Sequence, residues 1–359
     1  MNLVVEEVPA EKYRVDLLTR VLKIKNVKEL SSILHVAPGT ITRWLELDDV
    51  PKPYEFDLLK LLSIPISYAK YSPKDKDQFF TPVSTAAYCY EVFRKFIENK
   101  KEPEYKYTYI EPSAGNGSFL QVLPQSRTLA FDIEPMHPNI LQQDYLEWHP
   151  VATDTKANYV VFGNPPFGLR GHLALRFINH SYEFADYVCF ILPQLFESDG
   201  KGVPRKRVEG FHLVHSEKLQ SEFYGPAGKP LKINTIFQIW SKHHTNTAYD
   251  LNETVNKNLK VYSLSDGGTP STTRNKKMLN ACDVYLPSTC FGKENMKCYT
   301  SFEDLPGKKG YGLVFYKNNE LSENEYYAKC LTINWGEVAF LSTNSAYNLR
   351  SSQIYNMFL

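Results

Sequence analysis

The sequence predicts an α/β protein whose centre is a doubly wound parallel sheet, and two observations between residues 76 and 245 predict it. The first is that β-rich runs alternate with helical stretches such as residues 84–99 and 173–185. The β-rich runs cover residues 107–113, 128–134, 158–163 and 186–193. Alternation at this spacing is typical of parallel strands joined by helices. The second is that two later runs, residues 211–218 and 234–242, have the pattern of a closing β-hairpin.

The segment before this sheet, residues 1–75, is predicted to be helical throughout. Apolar side chains recur at helical spacing over residues 11–25. A short helix, a tight turn and a second short helix are predicted at residues 27–34, 35–39 and 40–47. This pattern resembles a helix-turn-helix, with Thr40 as the cap of the second helix and Thr40, Thr42 and Arg43 pointing outward. Because the charge of the segment is balanced, contact with DNA and a packing role both stay open.

The segment after the sheet, residues 246–359, has a different texture. Polar stretches rich in Gly, Ser, Thr and Asn separate short strand-like runs such as residues 284–286 and 312–316. We expect a small, loop-rich domain of mixed or mostly β structure there. The sequence therefore predicts three domains, at residues 1–75, 76–245 and 246–359.

The composition is typical of a folded protein, and its net charge does not predict an overall basic surface for binding nucleic acid. Of 359 residues, 43% are hydrophobic and 23% charged, which suits two or three soluble domains. Lys and Arg total 41 against 40 Asp and Glu, so any basic surface must be local. Aromatic residues reach 14%, for which core packing and the stacking of bases are both open explanations.

Targeting signals and metal-binding patterns are not expected. The start of the chain carries acidic residues where a signal peptide has basic ones. The longest apolar run of the whole sequence, around Tyr187–Leu192, is too short to span a bilayer. We therefore expect a cytoplasmic protein that makes no membrane contact. The six cysteines form no CxxC pair and no ligand spacing with histidine, which predicts free thiols and no bound metal.

The first set of residues with chemical meaning is EPSAGNGSFL, residues 111–120, which follows a predicted strand and is expected to open a helix. Gly115 and Gly117 allow a tight turn and close approach of a ligand. Asp132 ends the next strand, where a carboxylate can accept hydrogen bonds from ribose hydroxyls. The loop has no lysine, which excludes a phosphate-cradling Walker loop, and Glu111 would repel a pyrophosphate. An acid there suits a cationic ligand that carries an amine, such as S-adenosylmethionine.

The second set is GNPPFG, residues 163–168, after a later strand. Asn164 offers a side-chain carbonyl and Pro165 a backbone carbonyl, and together they can accept both hydrogens of one exocyclic amine. Pro166 has no N–H, so this neighbourhood favours acceptors over donors. Phe167 offers a face on which a heterocycle can stack.

Five motifs in order resemble the N6-adenine DNA methyltransferases, specifically those of the gamma class. They are FFTP (79–82), EPSAGNGSF (111–119), FDIEP (131–135), QDYL (143–146) and NPPF (164–167). The resemblance covers about half of the chain. The NPPF motif by itself also occurs in glutamine methyltransferases and in some ribosomal-RNA methyltransferases. It implies a Rossmann-like methyltransferase core, S-adenosylmethionine as cofactor without a metal, and double-stranded DNA as partner. It also implies that the segment 246–359 is a target-recognition domain.

The resemblance also implies roles for individual residues. Those that would hold the cofactor are Thr81, Pro82, Glu111, Ser113, Ala114, Gly115, Gly117, Asp132, Ile133, Asp144 and Tyr145. Among them, Asp132 would hold the ribose, Ile133 would pack on the adenine, and Asp144 would accept from the adenine amine. Those that would hold the target base are Asn164, Pro165, Phe167, and either Phe223 or Tyr224 as the second stacking aromatic.

DNA contacts are expected from a local excess of basic residues. Residues 201–243 contain eight Lys or Arg against three Glu. Arg205, Lys206 and Arg207 could form a loop that closes on phosphates, or a solvated basic loop. Arg43 could contribute from the helix-turn-helix-like segment. The loops at 269–277 and 291–297 carry polar and basic residues suited to base edges.

The sequence thus predicts a site-specific DNA adenine-N6 methyltransferase of the restriction–modification type, which flips its target adenine out of the duplex. We expect a monomer, and this interpretation leaves room for a cognate restriction endonuclease. Two alternatives stay open: a methyltransferase acting on RNA adenine or protein glutamine, and a non-catalytic DNA-binding regulator with a methyltransferase-like core.

Overall fold

The computed structural model of this chain describes most of its length. The described residues are 10–73, 75–151, 157–198, 203–220, 222–231, 233–249, 258–268, 272–316, 323–341 and 345–358. The helices are α1 Ala10–Val21, α2 Val27–Ile33, α3 Pro38–Glu46, α4 Glu55–Leu61, α5 Val83–Asn99, α6 His172–Ser181, α7 Glu323–Thr332, α8 Trp335–Val338 and α9 Ser351–Asn356. The strands of the central part are β1 Tyr107–Glu111, β2 Thr128–Asp132, β3 Leu141–Gln142, β4 Asn158–Gly163, β5 Ala185–Pro193, β6 His212–Leu219, β7 Phe223–Tyr224, β8 Pro230–Leu231 and β9 Thr235–Ser241. Those of the C-terminal part are β10 Leu259–Ser265, β11 Val284–Pro287, β12 Thr289–Phe291, β13 Lys309–Phe315, β14 Phe340–Leu341 and β15 Ala346–Asn348.

The central sheet has the strand order β3-β2-β1-β4-β5-β9-β6 across the described residues. Strands β1 to β5 run parallel, while β9 is antiparallel to both β5 and β6. The chain moves outward from β1 to β3 in one direction and then returns to place β4 on the other side of β1. This reversal confirms the predicted α/β, doubly wound class. In folds of this class, ligands commonly bind outside the carboxyl ends of the strands where the order reverses, which here are β1 and β4. The predicted pairing of the last two strands is also confirmed, although β9 lies between β5 and β6.

The two faces of the sheet are each covered by a helix because successive strand residues point to opposite sides. On one face, Phe93 and Ile97 of α5 pack in a cluster with strand residues such as Phe162. On the other, Leu175 and Ile178 of α6 pack in a second cluster. Most of these side chains are fully buried, so the sheet forms a rigid support for the loops at its carboxyl edge.

One predicted helix is wrong. The segment from 112 to 123 forms a series of turns instead of the helix expected after the glycine-rich motif. Gly115 and Gly117 have φ of +52° and +84°, which a right-handed helix cannot contain. The N–H of Gly115 also donates to the Asp132 carboxylate, 2.7 Å away, which holds the loop in this form.

The N-terminal helices α1 to α4 share their own apolar cluster, which includes Leu17, Leu30, Trp44 and Leu58. Helices α2 and α3 lie where two short helices were predicted. Thr40 is not the cap of α3, however. The helix begins at Pro38, which suits the first helical position because it has no N–H to leave unpaired.

The C-terminal part contains two three-stranded sheets, β10-β13-β11 and β12-β15-β14, within the ranges that the structure covers. Helices α7, α8 and α9 contribute Tyr326, Trp335 and Ile354 to its apolar cluster, so it is mixed rather than mostly β. No helix in the described ranges is long and apolar enough to cross a membrane. The domain boundaries at 75/76 and 245/246 stay predictions.

Candidate active site

The two motifs singled out in the sequence meet at the carboxyl edge of the sheet. Glu111 ends β1 and Gly163 ends the neighbouring strand β4. Ser113 Oγ, in the loop after β1, donates a hydrogen bond to the backbone oxygen of Asn164 at 3.1 Å. The glycine-rich loop and the NPPF loop are therefore directly connected, as the strand order requires.

The side chain of Asn164 has a fixed donor end and an unused acceptor end. Its Nδ2 donates to Oγ1 of Thr81 at 3.2 Å, and Thr81 is only 4% exposed. Its Oδ1 is buried and has no hydrogen-bond partner in the described part of the chain. A buried carbonyl oxygen without a donor is costly, commonly about 1–3 kcal/mol. The described part of the chain therefore leaves this oxygen with unused capacity to accept a hydrogen bond.

The NPPF loop is held in place by an acid that the sequence analysis did not single out. Oδ2 of Asp77 accepts the backbone N–H of Gly168 at 2.7 Å, and Gly168 has a φ of +67°. The backbone oxygen of Phe167 accepts N–H groups from the first turn of α6, at 3.2 and 3.3 Å. The Phe167 ring is 7% exposed and Pro165 is buried. Stacking of a base on Phe167 stays a prediction.

Asp132 braces the glycine-rich loop. Its Oδ2 accepts the N–H of Gly115 at 2.7 Å, and its Oδ1 accepts the N–H of Glu134 at 2.8 Å. Burial raises the pKa of Asp132, while these two backbone donors act in the opposite direction. A Cβ on Gly115 would lie 3.1 Å from the ring of Phe80, so only glycine fits there without a shift. The ribose contact expected of Asp132 stays a prediction.

Glu111 is the most deeply buried acid of the site, at 1% exposure. Its Oε2 has no hydrogen-bond partner among the residues that the structure describes. Burial raises its pKa well above the usual range, and the nearby charge of Asp132 raises it further. Such a carboxyl group can gain a large stabilisation from a cationic group placed against it.

The structure separates the two adjacent aromatics of β7. Tyr224 exchanges backbone hydrogen bonds with Phe80 at 2.8 and 3.1 Å, and its hydroxyl accepts from Nδ2 of Asn116 at 2.8 Å. Phe223 points to the other side and is 1% exposed within the apolar cluster of α5. Tyr224 is therefore the aromatic beside the glycine-rich loop, and Phe223 is a core residue.

A cavity of about 470 Å³ lies next to the ends of β2 and β3. Ile133 and Asp144 both line it, and their contacts to a cofactor adenine stay predictions. Asp144 Oδ1 caps a short helical turn by accepting the N–H of Leu146 at 3.0 Å. Its Oδ2 accepts from the ammonium group of Lys60, in α4. Tyr145 does not line the cavity, because its side chain is buried in the core.

The remaining predicted cofactor residues surround this edge of the sheet. Pro82 directly precedes α5, and Ala114 donates its N–H to the backbone oxygen of Phe131 at 2.8 Å. Gly117 is buried and closes a turn by donating to the backbone oxygen of Ala114 at 2.8 Å. These three residues therefore shape the backbone around the site.

The residues predicted to bind DNA fall into two groups. Arg205 donates to the backbone oxygens of Glu197 and Tyr249, and Arg207 Nη1 donates to the backbone oxygen of His35 at 2.8 Å. These two arginines brace the protein itself, and Arg207 attaches the turn between α2 and α3 to the core. Lys206 and Arg43 are exposed. Of the loop at 269–277, residues 269–271 lie outside the described residues.

One group of described side chains, His149, His180 and Glu183, has the spacing to hold a metal ion. None of the three lines the cavity. His149 Nδ1 lies 3.2 Å from a Glu183 oxygen, and His180 Nε2 lies 2.9 Å from the backbone oxygen of Trp148. These contacts already engage all three side chains within the protein.

The chain matches no protein-family model and no curated protein. Among solved structures it is similar to a Pyrococcus horikoshii protein provisionally described as an RNA methyltransferase, with 18% identity, a TM-score of 0.35, and coverage of 46% of this chain and 87% of that one. A chain of a type I restriction–modification system shows 12% identity, a TM-score of 0.31, and coverage of 67% and 65%. The type IIL restriction–modification enzyme MmeI, in complex with DNA, shows 12% identity, a TM-score of 0.32, and coverage of 57% and 45%. The fold class rests on the strand order of the central sheet.

Proposed function

We propose that this chain is a site-specific DNA adenine-N6 methyltransferase that uses S-adenosylmethionine. The observation that carries the proposal is the buried, unpartnered Oδ1 of Asn164, whose amide nitrogen is held by Thr81. Ser113 connects this residue to the loop that Asp132 braces. An acceptor for an amine and a candidate cofactor loop thus share one edge of the sheet.

The residues present fit the proposed cofactor. Glu111 has an unused buried oxygen, which suits the amino group of a cationic ligand. Ile133 and Asp144 line a cavity of about 470 Å³, within the usual ~300–1,000 Å³ of ligand pockets. When bound, S-adenosylmethionine supplies an electrophilic methyl group.

On the base side, this chain would position an amine rather than take its proton. Asn164 Oδ1 would accept one amine hydrogen and the Pro165 carbonyl the other, drawing the nitrogen lone pair out of conjugation with the ring. An amide oxygen is a poor base, so the surplus proton would leave to solvent after transfer. Alignment of the amine for attack would then supply most of the acceleration. The adenine must leave the duplex to reach this loop, at a cost of a few kcal/mol.

Recognition of DNA is the part of the proposal that rests on the sequence motifs. Lys206 and Arg43 are exposed and free to approach phosphates, whereas Arg205 and Arg207 bond to backbone oxygens. We propose that the segment 246–359 reads the target sequence, and that the protein acts as a monomer in a restriction–modification system.

The test is transfer of tritiated methyl from S-adenosylmethionine to unmethylated duplex DNA, with RNA and mixed protein as parallel substrates. Nucleoside analysis should recover the label as N6-methyldeoxyadenosine, and Asn164→Ala should give none. Label in RNA or in protein glutamine would overturn the DNA assignment in favour of that substrate. Cofactor binding without label in any substrate would favour a non-catalytic regulator.

A further inference from the structure

The cavity beside Asp144 has two walls that come from different parts of the chain. Ile133 and Asp144 line it from the central sheet, Lys60 lines it from the last turn of α4, and Ile64 and Tyr68 line it from the segment that follows. The motifs that resemble methyltransferases begin at residue 79, so the second wall lies outside them. Nothing in the resemblance assigns it a role.

The chain leaves α4 in a way that brings this wall to the cavity. Ser63 has a φ of +53°, in the left-handed region that commonly ends a helix. Its N–H donates to the backbone oxygen of Lys60 at 2.9 Å, and the N–H of Ile64 donates to that of Leu59 at 2.9 Å. These bonds satisfy two of the last helical carbonyls and fix the backbone of Ile64 directly after the end of α4.

The wall is attached to the core at several points. Asp57 of α4 forms an ion pair with Arg176 of α6, and its other oxygen lies 3.6 Å from His172 Nε2. Further along, Lys76 pairs with Glu134 at 2.7 Å. The position of residues 60–68 is therefore set by the same sheet and helix that carry the candidate active site.

Lys60 and Asp144 form the direct connection across the cavity. The Lys60 ammonium bonds Oδ2 of Asp144, while Oδ1 accepts the N–H of Leu146. Each carboxylate oxygen can accept a second hydrogen, so Asp144 retains capacity for a ligand amine. Both oxygens are nevertheless fixed in direction by their protein partners.

We propose that residues 60–68 form the outer wall of the pocket for the adenosyl end of the cofactor, and that Lys60 is a positioning residue for Asp144. The inference rests on the proposed function. It assigns the end of the N-terminal helical segment to cofactor binding, whereas the sequence pattern of that segment leaves contact with DNA and a packing role both open.

The chemistry of the lining suits a purine that carries an amine. Ile64 and Ile133 supply apolar surface from the two sides, and Asp144 supplies the acceptor. Tyr68 also lines the cavity, and its hydroxyl, like that of any neutral tyrosine, can donate a hydrogen bond.

The experiment measures binding of S-adenosylmethionine and of adenosine to the full chain by calorimetry, together with KM for cofactor and for DNA. Lys60→Met should weaken the binding of both ligands by roughly fivefold, the upper end of the effect expected from a partly exposed ion pair. Lys60→Arg should restore the affinity for both ligands. The KM for cofactor should rise by the same factor with kcat and the KM for DNA unchanged. The matched control is Lys52→Met, which breaks the Lys52–Asp75 pair away from the cavity.

A second variant covers the case in which Lys60→Met perturbs folding. Ile64→Trp should fill the cavity and abolish adenosine binding, whereas Ile24→Trp, at an exposed isoleucine of the same segment, should not. If the wild-type protein binds both ligands and every variant binds them with the same affinity, this inference is overturned and the proposed function is left intact. Variants that raise only the KM for DNA would also overturn it. Wild-type protein that binds neither ligand would overturn both.

Discussion

Replacing Glu111 by glutamine is expected to reduce by one the number of protons that the protein releases when it binds the cofactor. Glu111 is 1% exposed, and one of its oxygens has no hydrogen-bond partner among the described residues. Burial, and then the charge of Asp132, raise its pKa well above the usual range. A cationic ligand favours the ionised carboxylate, so binding lowers this pKa and releases a proton.

The magnitude follows from linkage. Between the lower pKa of Glu111 in the complex and its higher pKa in the free protein, affinity should rise tenfold per pH unit, about 1.4 kcal/mol. Above the higher value, affinity should level off. In Glu111→Gln this pH dependence of the affinity should disappear, because one fewer proton is released on binding. The affinity of the variant should stay near the value that the wild type has at low pH.

The same shift has a consequence for stability, with the opposite sign. Because folding raises the pKa of Glu111, the folded state binds its proton more tightly, and stability is lost as pH rises through the folded-state pKa. Glu111→Gln should therefore melt at a higher temperature than the wild type at alkaline pH. Below the pKa of the unfolded chain the two proteins should melt alike.

The assay is calorimetric titration with S-adenosylmethionine in buffers of different ionisation enthalpy, repeated over a range of pH. Adenosine, which lacks the cationic groups, is the control ligand and should release no proton on binding. Wild-type binding without proton release, or an unchanged pH slope in Glu111→Gln, would refute the assignment of Glu111 to a cationic group.

Three further substitutions test the rest of the site. Asn164→Ala should abolish methyl transfer and leave cofactor affinity largely unchanged, because Oδ1 is the proposed acceptor for the base; lost cofactor binding in a titration would contradict this. Asp77→Ala should lower kcat more than Asp77→Asn, since asparagine keeps an acceptor for the Gly168 N–H; equal single-turnover rates would count against a positioning role. Tyr224→Phe should reduce the free energy of unfolding by about 1 kcal/mol through loss of the bond from Asn116, measured by urea denaturation.

The sequence predicted those parts of the site that depend on strand order. The carboxyl ends of parallel strands meet at one edge of a sheet, so motifs after two strands were bound to approach each other. The bond between Ser113 and Asn164 is the result. The prediction of a helix after Glu111 is wrong for a local reason. Gly115 and Gly117 adopt positive φ, and Asp132 accepts the Gly115 N–H.

Other parts could not be predicted because they depend on contacts between residues far apart in sequence. Asp77 bonds Gly168 across 91 positions, and Lys60 bonds Asp144 across 84. Asp144 and Gly168 stand in motifs that the sequence shows, but no local pattern marks Asp77 or Lys60 as their partners. The basic residues near position 205 show the same limit: charge is visible in the sequence, but the backbone oxygen that Arg207 contacts belongs to a turn 172 positions earlier.

The insertion of β9 between β5 and β6 sets an order in which the molecule can be completed. Strand β6 has β9 as its neighbour in the sheet, so it has no place there until residues 235–241 have been synthesised and paired with β5. Tyr224 belongs to the connection between these two strands and reaches the glycine-rich loop through Phe80 and Asn116. A nascent chain that ends before β9 would therefore present an unpaired edge of β5, and the candidate site would lack the strand that joins β6 and the connection carrying Tyr224 to the rest of the sheet.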